Sequence, residues 1–130
     1  MGVACRAVRV EGVATAGARV GGIVWMEVVE HVPEPAAFVG MLAGVVRPGG
    51  MLILSTLNRT LKSYALAIVA AEYVLGWLPR GTHNWDRFVT PGELSRHLRA
   101  AGFAAPATRG IVYDVMRDAW RLGRDCDVNY

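Results

Sequence analysis

The sequence predicts an α/β fold, and three observations carry that prediction. Gly22 to Met26 (Gly-Ile-Val-Trp-Met) and Met51 to Thr56 (Met-Leu-Ile-Leu-Ser-Thr) are short, nearly unbroken apolar runs of the kind that form buried strands of a parallel sheet. Between them Phe38, Leu42, Val45 and Val46 recur at helical spacing. Strand, helix and strand together occupy about 35 residues, the length of one βαβ unit.

The elements follow in order. Residues 2–22 are small, with weak alternation from Cys5 to Glu11, and predict one short strand at most. Pro33 and Pro35 interrupt after the first apolar run. The helix from Pro35 to Val46 is stopped by Arg47-Pro48-Gly49-Gly50, read as a tight turn before the second strand. Leu61 to Leu78 predicts a helix with a wide apolar face, ended by Pro79, and residues 80–84 a loop. Thr90-Pro91-Gly92-Glu93 combines an N-cap, a first-turn proline and a capping-box glutamate. It opens a helix that carries Leu94, Leu98 and Ala101 and stops at Gly102. In the tail, Ile111-Val112-Tyr113 and Asp127-Val128-Asn129-Tyr130 alternate and predict a hairpin-like antiparallel edge whose last strand stops as it begins.

Length and composition bound the function. A chain of 130 residues has room for one domain and not two. With 53% hydrophobic and 19% charged residues and a mean hydropathy of +0.30, it is too apolar to be wholly disordered. The apolar surplus calls for a cover: a membrane surface, a further part of the fold, or a partner. The net charge is +3 and the isoelectric point about 9.2, yet all but Lys62 of the 14 basic residues are Arg, spread from Arg6 to Arg124. No basic stripe forms, which argues against nucleic acid and leaves acidic phospholipid as the better match for the charge. Cys5 and Cys126 stand near opposite ends with no CxxC, so neither a disulfide framework nor a zinc site is expected, and a reducing compartment is. Residues 1–6 carry no myristoylation or export signal. The longest greasy stretch, Tyr64 to Leu78, contains Glu72 and falls short of the roughly 20 apolar residues that cross a bilayer. It can lie on a membrane but not span one.

Chemistry is expected at Met26-Glu27-Val28-Val29-Glu30-His31, at the carboxyl end of the first strand, where open α/β sheets hold their ligands. If Glu27 opens a helical turn, Glu30 and His31 fall at i+3 and i+4, and two carboxylates and an imidazole share one face suited to magnesium or manganese. The other reading is a solvated helix start whose acids complement the dipole, and spacing alone leaves both open. Ser55 and Asn58, at the end of the second strand, are placed to meet substrate or to form a turn. His83 would line the substrate entrance, act as a base, or serve as a local hydrogen-bond partner. Trp25, Trp77, Trp85 and Trp120 are read as packing residues, and His97 is given no role.

Three motifs occur in order: Met26-Glu27-Val28-Val29-Glu30-His31-Val32, Arg47-Pro48-Gly49-Gly50 and Ser55-Thr56-Leu57-Asn58-Arg59-Thr60. Residues 71–75, residues 78–83 and the terminal Asp127-Val128-Asn129-Tyr130 continue the pattern. In these the chain, from about Val20 to Tyr130, resembles the ubiquinone biosynthesis O-methyltransferase family of class I S-adenosylmethionine-dependent methyltransferases. The resemblance implies a Rossmann-like, seven-stranded α/β sheet and methylation of a catechol-type hydroxyl on a polyprenylated ubiquinone precursor. It implies that Met26 contacts S-adenosylmethionine near its adenine end and that Glu27, Glu30 and His31 hold Mg2+. It also links the stretch Lys62 to Phe88 to lipid binding. That stretch is an apolar helix with basic ends and interfacial aromatics, and an ordinary buried helix is the alternative reading.

The departures shape the expectation further. No GxGxG follows a strand and opens a helix in residues 1–22, and Gly21-Gly22 stands where the family has an aromatic residue and an aspartate. The chain is therefore expected to be the C-terminal portion of the fold, with the cofactor-loop half missing. It is divided into a divergent segment 1–21, strand-helix-strand 22–60, an apolar insertion 61–89, and a helix with C-terminal strands 90–130. The expected partners are the polyprenylated phenolic substrate, the membrane surface and a ubiquinone biosynthetic complex. The expected place is the bacterial cytoplasm at the inner face of the membrane, or alternatively the matrix side of the mitochondrial inner membrane. The competing function is a noncatalytic, membrane-associated fragment of such an enzyme.

Overall fold

The computed structural model describes residues 19–74, 76, 79, 81, 84–114 and 116–130; what was read for residues 1–18, Trp77, Leu78, Arg80 and His83 lies outside them. Strand β1 (Val20–Met26) runs parallel to β2 (Val46–Ser55), with Gly22 opposite Met51 and Met26 opposite Ser55. Alternation along the strands sends Ile23, Trp25, Leu52 and Leu54 to one face. Helix α1 (Pro35–Val45) supplies the crossover and buries Val39, Leu42 and Val45. Its Phe38 ring meets Trp25 edge-on with centroids 5.2 Å apart, a favoured aromatic geometry. The main core gathers Val29, Val39, Val89, Leu94, Leu98 and Tyr130, with Leu52 and Leu54 packed against it. On the other face of the pair Val24, Met26, Met51 and Ile53 remain between 45% and 65% exposed. This is where much of the apolar surplus lies.

The second strand starts earlier than its apolar run suggests. β2 begins at Val46, and Arg47-Pro48-Gly49-Gly50 is folded into the strand as a break in register between Val20 opposite Val46 and Gly22 opposite Met51. A bulge is where a strand tolerates proline. Gly49 takes φ +74°, and a Cβ on Gly50 would sit 2.7 Å from Val46 Cγ1 and 2.9 Å from the carbonyl oxygens of Arg47 and Gly21. The glycines make the tight turn as expected, but inside the ladder.

The apolar helix also differs from expectation. A capped turn α2 (Leu61–Ser63) passes into eleven residues of π-helix, Tyr64–Val74. Thr60 caps the turn, its hydroxyl accepting from the Ser63 N–H at 3.0 Å. Ile68 packs inward on Leu57 and Phe88, next to Trp85. Glu72 also faces inward at 3% exposure and accepts from the Gly81 N–H at 2.7 Å, while Leu66, Val69, Tyr73 and Val74 face out. π-Helix is rare, and most of it occurs as single turns within α-helices. Among the described residues no helix is long and apolar enough to cross a membrane.

Helix α3 (Pro91–Ala100) forms as the sequence predicts. The Glu93 N–H donates to the Thr90 hydroxyl at 3.3 Å, the Thr90 N–H donates to the Glu93 carboxylate at 2.9 Å, and Gly102 ends the helix at φ +91°. The Thr90 N–H holds the Glu93 carboxyl below its ordinary range, helped by the Thr90 hydroxyl and the Arg59 guanidinium and opposed by partial burial. A carboxyl with a depressed folded pKa stabilises the fold above its unfolded value, about 4.3, and loses that contribution as pH falls through the folded one. Melting temperature is therefore expected to drop below about pH 4.3, less steeply in Glu93→Gln; parallel acid melting curves for the two proteins would remove Glu93 from the account.

The tail pairs differently from the prediction. β3 (Gly110–Asp114) is antiparallel to β4 (Ala119–Gly123), with Val112 opposite Arg121. Asp127–Tyr130 instead returns to the end of β2: Asn129 bridges Leu57, the Thr56 N–H donates to the Tyr130 carbonyl at 3.0 Å and the Asn58 N–H to the Val128 carbonyl at 2.8 Å. The hairpin turn was not legible because its left-handed residue is Asp118, at φ +48°, with no Asn-Gly or Asp-Gly pair to announce it.

Candidate functional site

The carboxyl ends of β1 and β2 lie side by side, because parallel pairing places Met26 next to Ser55. Met26 ends its strand half-exposed. Glu27 follows with φ +51°, a left-handed conformation that non-glycine residues seldom adopt and that structures retain where the surroundings impose it. Ser55 bonds Glu27 in that conformation. The Glu27 N–H donates to the Ser55 carbonyl at 3.0 Å and to Ser55 Oγ at 3.1 Å, and Ser55 Oγ donates to Glu27 Oε1 at 2.8 Å. The serine therefore fixes both the backbone and the carboxylate of Glu27. From sequence Ser55 had two readings, substrate contact or turn; the structure gives it this third task.

The next turn, Val29–His31, is 3-10 helical and drives Val29 and Glu30 inside. Glu30 is 2% exposed; its Oε2 accepts from the Thr56 hydroxyl at 2.7 Å, and its Oε1 is buried with no hydrogen-bond partner. Thr56 is wholly buried and was not singled out by the sequence. The only hint was a second hydroxyl beside Ser55 at the strand end. His31 lies on the outside of the turn. The Glu27 and Glu30 carboxylates thus bond the hydroxyls of Ser55, at the end of β2, and Thr56, just past it, and among the described residues no group of three or more His, Cys, Asp or Glu side chains is gathered closely enough to hold a metal ion. Glu27, Glu30 and His31 share one short segment without converging on one point.

Asn58 anchors the tail rather than facing a ligand, since its Nδ2 donates to the Cys126 carbonyl at 2.8 Å. Tyr130 completes the wall behind the site. Its hydroxyl donates to the Val89 carbonyl at 2.8 Å, and burial, with Glu93 and Glu30 adding to it, pushes that hydroxyl's pKa far above the ordinary tyrosine range. Trp25 and Trp85 pack as expected, whereas Trp120 is 66% exposed and tilts on Tyr113.

A parallel strand pair with a right-sized crossover and a strained acidic residue at its carboxyl end is compatible with many α/β enzymes. Comparison with known proteins narrows it. Residues 7–106 match the family described as "Methyltransferase domain". The chain belongs to the methyltransferase family. Its curated relatives include proteins named ubiquinone biosynthesis O-methyltransferase. One from Methylobacterium sp. (strain 4-46) is 52% identical over 121 residues, 93% of this chain and 49% of that protein. One from Azorhizobium caulinodans is 52% identical over 120 residues, 92% of this chain and 47% of that protein. One from Parvibaculum lavamentivorans is 48% identical over all 130 residues, 51% of that protein. This methyltransferase chain spans about half the length of the relatives it matches. Its parallel pair and antiparallel hairpin agree with a partial methyltransferase fold, and the family is one of enzymes.

Proposed function

We propose that the protein takes part in S-adenosylmethionine-dependent O-methylation of a catechol-type hydroxyl on a polyprenylated ubiquinone precursor. The relatives' name supports the substrate class, and the observation that carries the site is Glu27, held at φ +51° beside half-exposed Met26 at the strand end. Bound there, S-adenosylmethionine would supply a methyl group on a cationic sulfur for transfer to a phenolate oxygen. The chain's own part is to position. Met26 offers an apolar, polarizable surface to a flat base. Ser55 keeps the Glu27 backbone and carboxylate in one arrangement at the strand end, where misplacement by about 1 Å can cost a hundredfold in rate.

Magnesium is a finer part of the proposal. Glu27, Glu30 and His31 do not gather into a ligand set as they stand; what speaks for the ion is the buried Glu30 Oε1, which has no hydrogen-bond partner. Calorimetric titration with magnesium chloride decides it. A binding signal lost in Glu30→Gln places the ion there, and identical titrations of the two proteins remove it.

Membrane contact belongs to the same reading. Leu66, Val69, Tyr73 and Val74 face outward on the π-helix while Glu72 faces inward, an inverted pattern suited to an apolar surface. The reading places the protein at the cytoplasmic face of a bacterial inner membrane, with the matrix side of the mitochondrial inner membrane as the alternative. A ubiquinone biosynthetic complex is the proposed assembly there. The second reading, a noncatalytic membrane-associated fragment, rests on that outward apolar face.

One titration separates them. S-adenosylhomocysteine binding at micromolar strength supports the enzyme reading; no binding, with retained sedimentation on vesicles, supports the fragment. If binding is found, Ser55→Ala is expected to weaken it about tenfold, equivalent to about 1.4 kcal/mol, and to lower the melting temperature as well, because both side-chain hydrogen bonds to Glu27 are lost. Unchanged affinity would show that Ser55 does not position the site.

A further inference from the structure

Between the start of α1 and α3 lies a cleft of about 470 Å³ that shares no residue with the strand-end site. Its charged and titratable lining is Arg59, Asp86, Arg87, Glu93, Arg96 and His97. Three separate segments bring these together. Arg59 follows the end of β2, Arg87 closes the 3-10 turn Trp85–Arg87, and Glu93, Arg96 and His97 stand at i, i+3 and i+4 of α3, on one face of that helix.

The charges do not cancel. Arg59 is fixed: its Nη1 donates to the Phe88 carbonyl at 3.2 Å and its Nη2 to the Glu93 carboxylate, which also accepts from the Thr90 N–H and hydroxyl, each at 2.9 Å. Glu93 is thereby matched within the fold, and Arg59 keeps N–H groups to spare, since a guanidinium carries five. The side chains of Arg87, Arg96 and His97 have no hydrogen-bond or ion-pair partner among the described residues, and both arginines are exposed. Of the lining, only the Asp86 carboxylate stands against them. Three guanidiniums to two carboxylates leave the cleft positive, the more so when His97 is protonated. A planar guanidinium fork pairs best with an oxyanion, two N–H groups to two oxygens. A carboxylate offers one such edge, enough for one arginine. A phosphate group offers several around a tetrahedron, and so answers two forks and a fixed third at once.

We propose that this cleft is an oxyanion site for a phosphate group, gripped by Arg87 and Arg96 with Arg59 as the anchored cation. Two sources share that chemistry, a soluble phosphate ester and the headgroup of an anionic phospholipid. Arg59 and Arg87 stand before and after the outward-facing π-helix in the chain, so the second source would join it to the bilayer; that source alone rests on the membrane reading.

Inorganic phosphate is the probe. It is titrated into the 15N-labelled 130-residue chain at constant ionic strength, with sodium chloride as the balance, and read at the arginine Nε–H signals. Saturable shifts at Arg59, Arg87 and Arg96 are expected with a dissociation constant of about 1 mM, weakened about tenfold or more in the double variant Arg87→Gln with Arg96→Gln. Neither side chain has a partner in the fold, so the variant keeps the remaining spectrum of the parent. No saturation by about 50 mM phosphate, the same shifts with sodium chloride alone, or equal affinity in the double variant would overturn the proposal. Sedimentation with phosphatidylcholine vesicles, with and without phosphatidylglycerol, then separates the sources. A loss of about tenfold by the double variant on the phosphatidylglycerol vesicles alone, with phosphate displacing the parent, assigns the headgroup. Equal sedimentation of parent and variant alongside the phosphate shifts assigns a soluble ester. Failure to sediment on either vesicle overturns the membrane reading and leaves the phosphate site standing on its own titration.

Discussion

Thr56→Val is expected to lower the stability of the fold by about 3 kcal/mol, a loss of more than a hundredfold in the folding equilibrium. The side chains have nearly the same shape, so packing changes little, but the hydroxyl that donates to Glu30 Oε2 is gone. Glu30 is 2% exposed and its other oxygen already lacks a partner, so the substitution leaves a buried carboxylate with no hydrogen bond that the structure shows. Leaving a buried charged group uncompensated is among the few single changes with effects of this size. Thermal melting would show the loss as a drop of roughly 10 °C for a chain of this length. The double variant Thr56→Val with Glu30→Leu is expected to recover most of it, because both polar partners are then absent. If Thr56→Val costs less than about 0.5 kcal/mol, the Glu30–Thr56 bond does not hold the turn at the strand end.

Gly110→Ala is expected to cost at least as much, through sterics alone. Gly110 has an ordinary backbone conformation, but an added Cβ would land on the Asp125 carbonyl oxygen, with the Cys126 nitrogen 3.1 Å away. Both neighbours are backbone, so no side chain can swing aside. β3 would have to part from residues 125–126, and with it would go the Ile111 to Asn129 hydrogen bond and the Asn58 contact to the Cys126 carbonyl. Overpacking of this kind costs about 1 to 3 kcal/mol where neighbours can adjust and more where they cannot. Gly92→Ala is the control: nothing stands within 4 Å of its added Cβ, and in α3 alanine is expected to be neutral to stabilising by up to about 1 kcal/mol. Denaturant unfolding of the two variants reads the contrast. Equal midpoints for Gly110→Ala and the parent would show that the hairpin does not press against the tail.

What the sequence determined by itself was whatever depends on residues close together in the chain. The run of Ile23, Val24 and Trp25 specifies a strand, Phe38, Leu42 and Val45 one face of a helix, and Thr90-Pro91 with Glu93 a helix start, because each signal is completed within a turn or two of backbone. The methyltransferase family was legible in the same way, from short motifs in fixed order that the family match over residues 7–106 bears out. That Met26 and Glu27 stand at the carboxyl end of a parallel strand was legible too, since the apolar run itself fixes where the strand ends.

What only the tertiary structure decided was how those pieces meet. That Ser55 would hold Glu27 and Thr56 would hold Glu30 depends on the register of β1 against β2, which no local pattern encodes, and a slip of one residue would have exchanged the two hydroxyls. The spacing of Glu27, Glu30 and His31 suggested one shared face, whereas a left-handed residue and a 3-10 turn replaced the helical turn that this required. β3 found Ala119–Gly123 rather than Asp127–Tyr130 because the hairpin closes nearby in sequence, and the tail was left to pair with the end of β2. Local sequence chose the elements, and long-range pairing, whose loop-closure entropy is repaid only by contacts far apart in the chain, chose their partners.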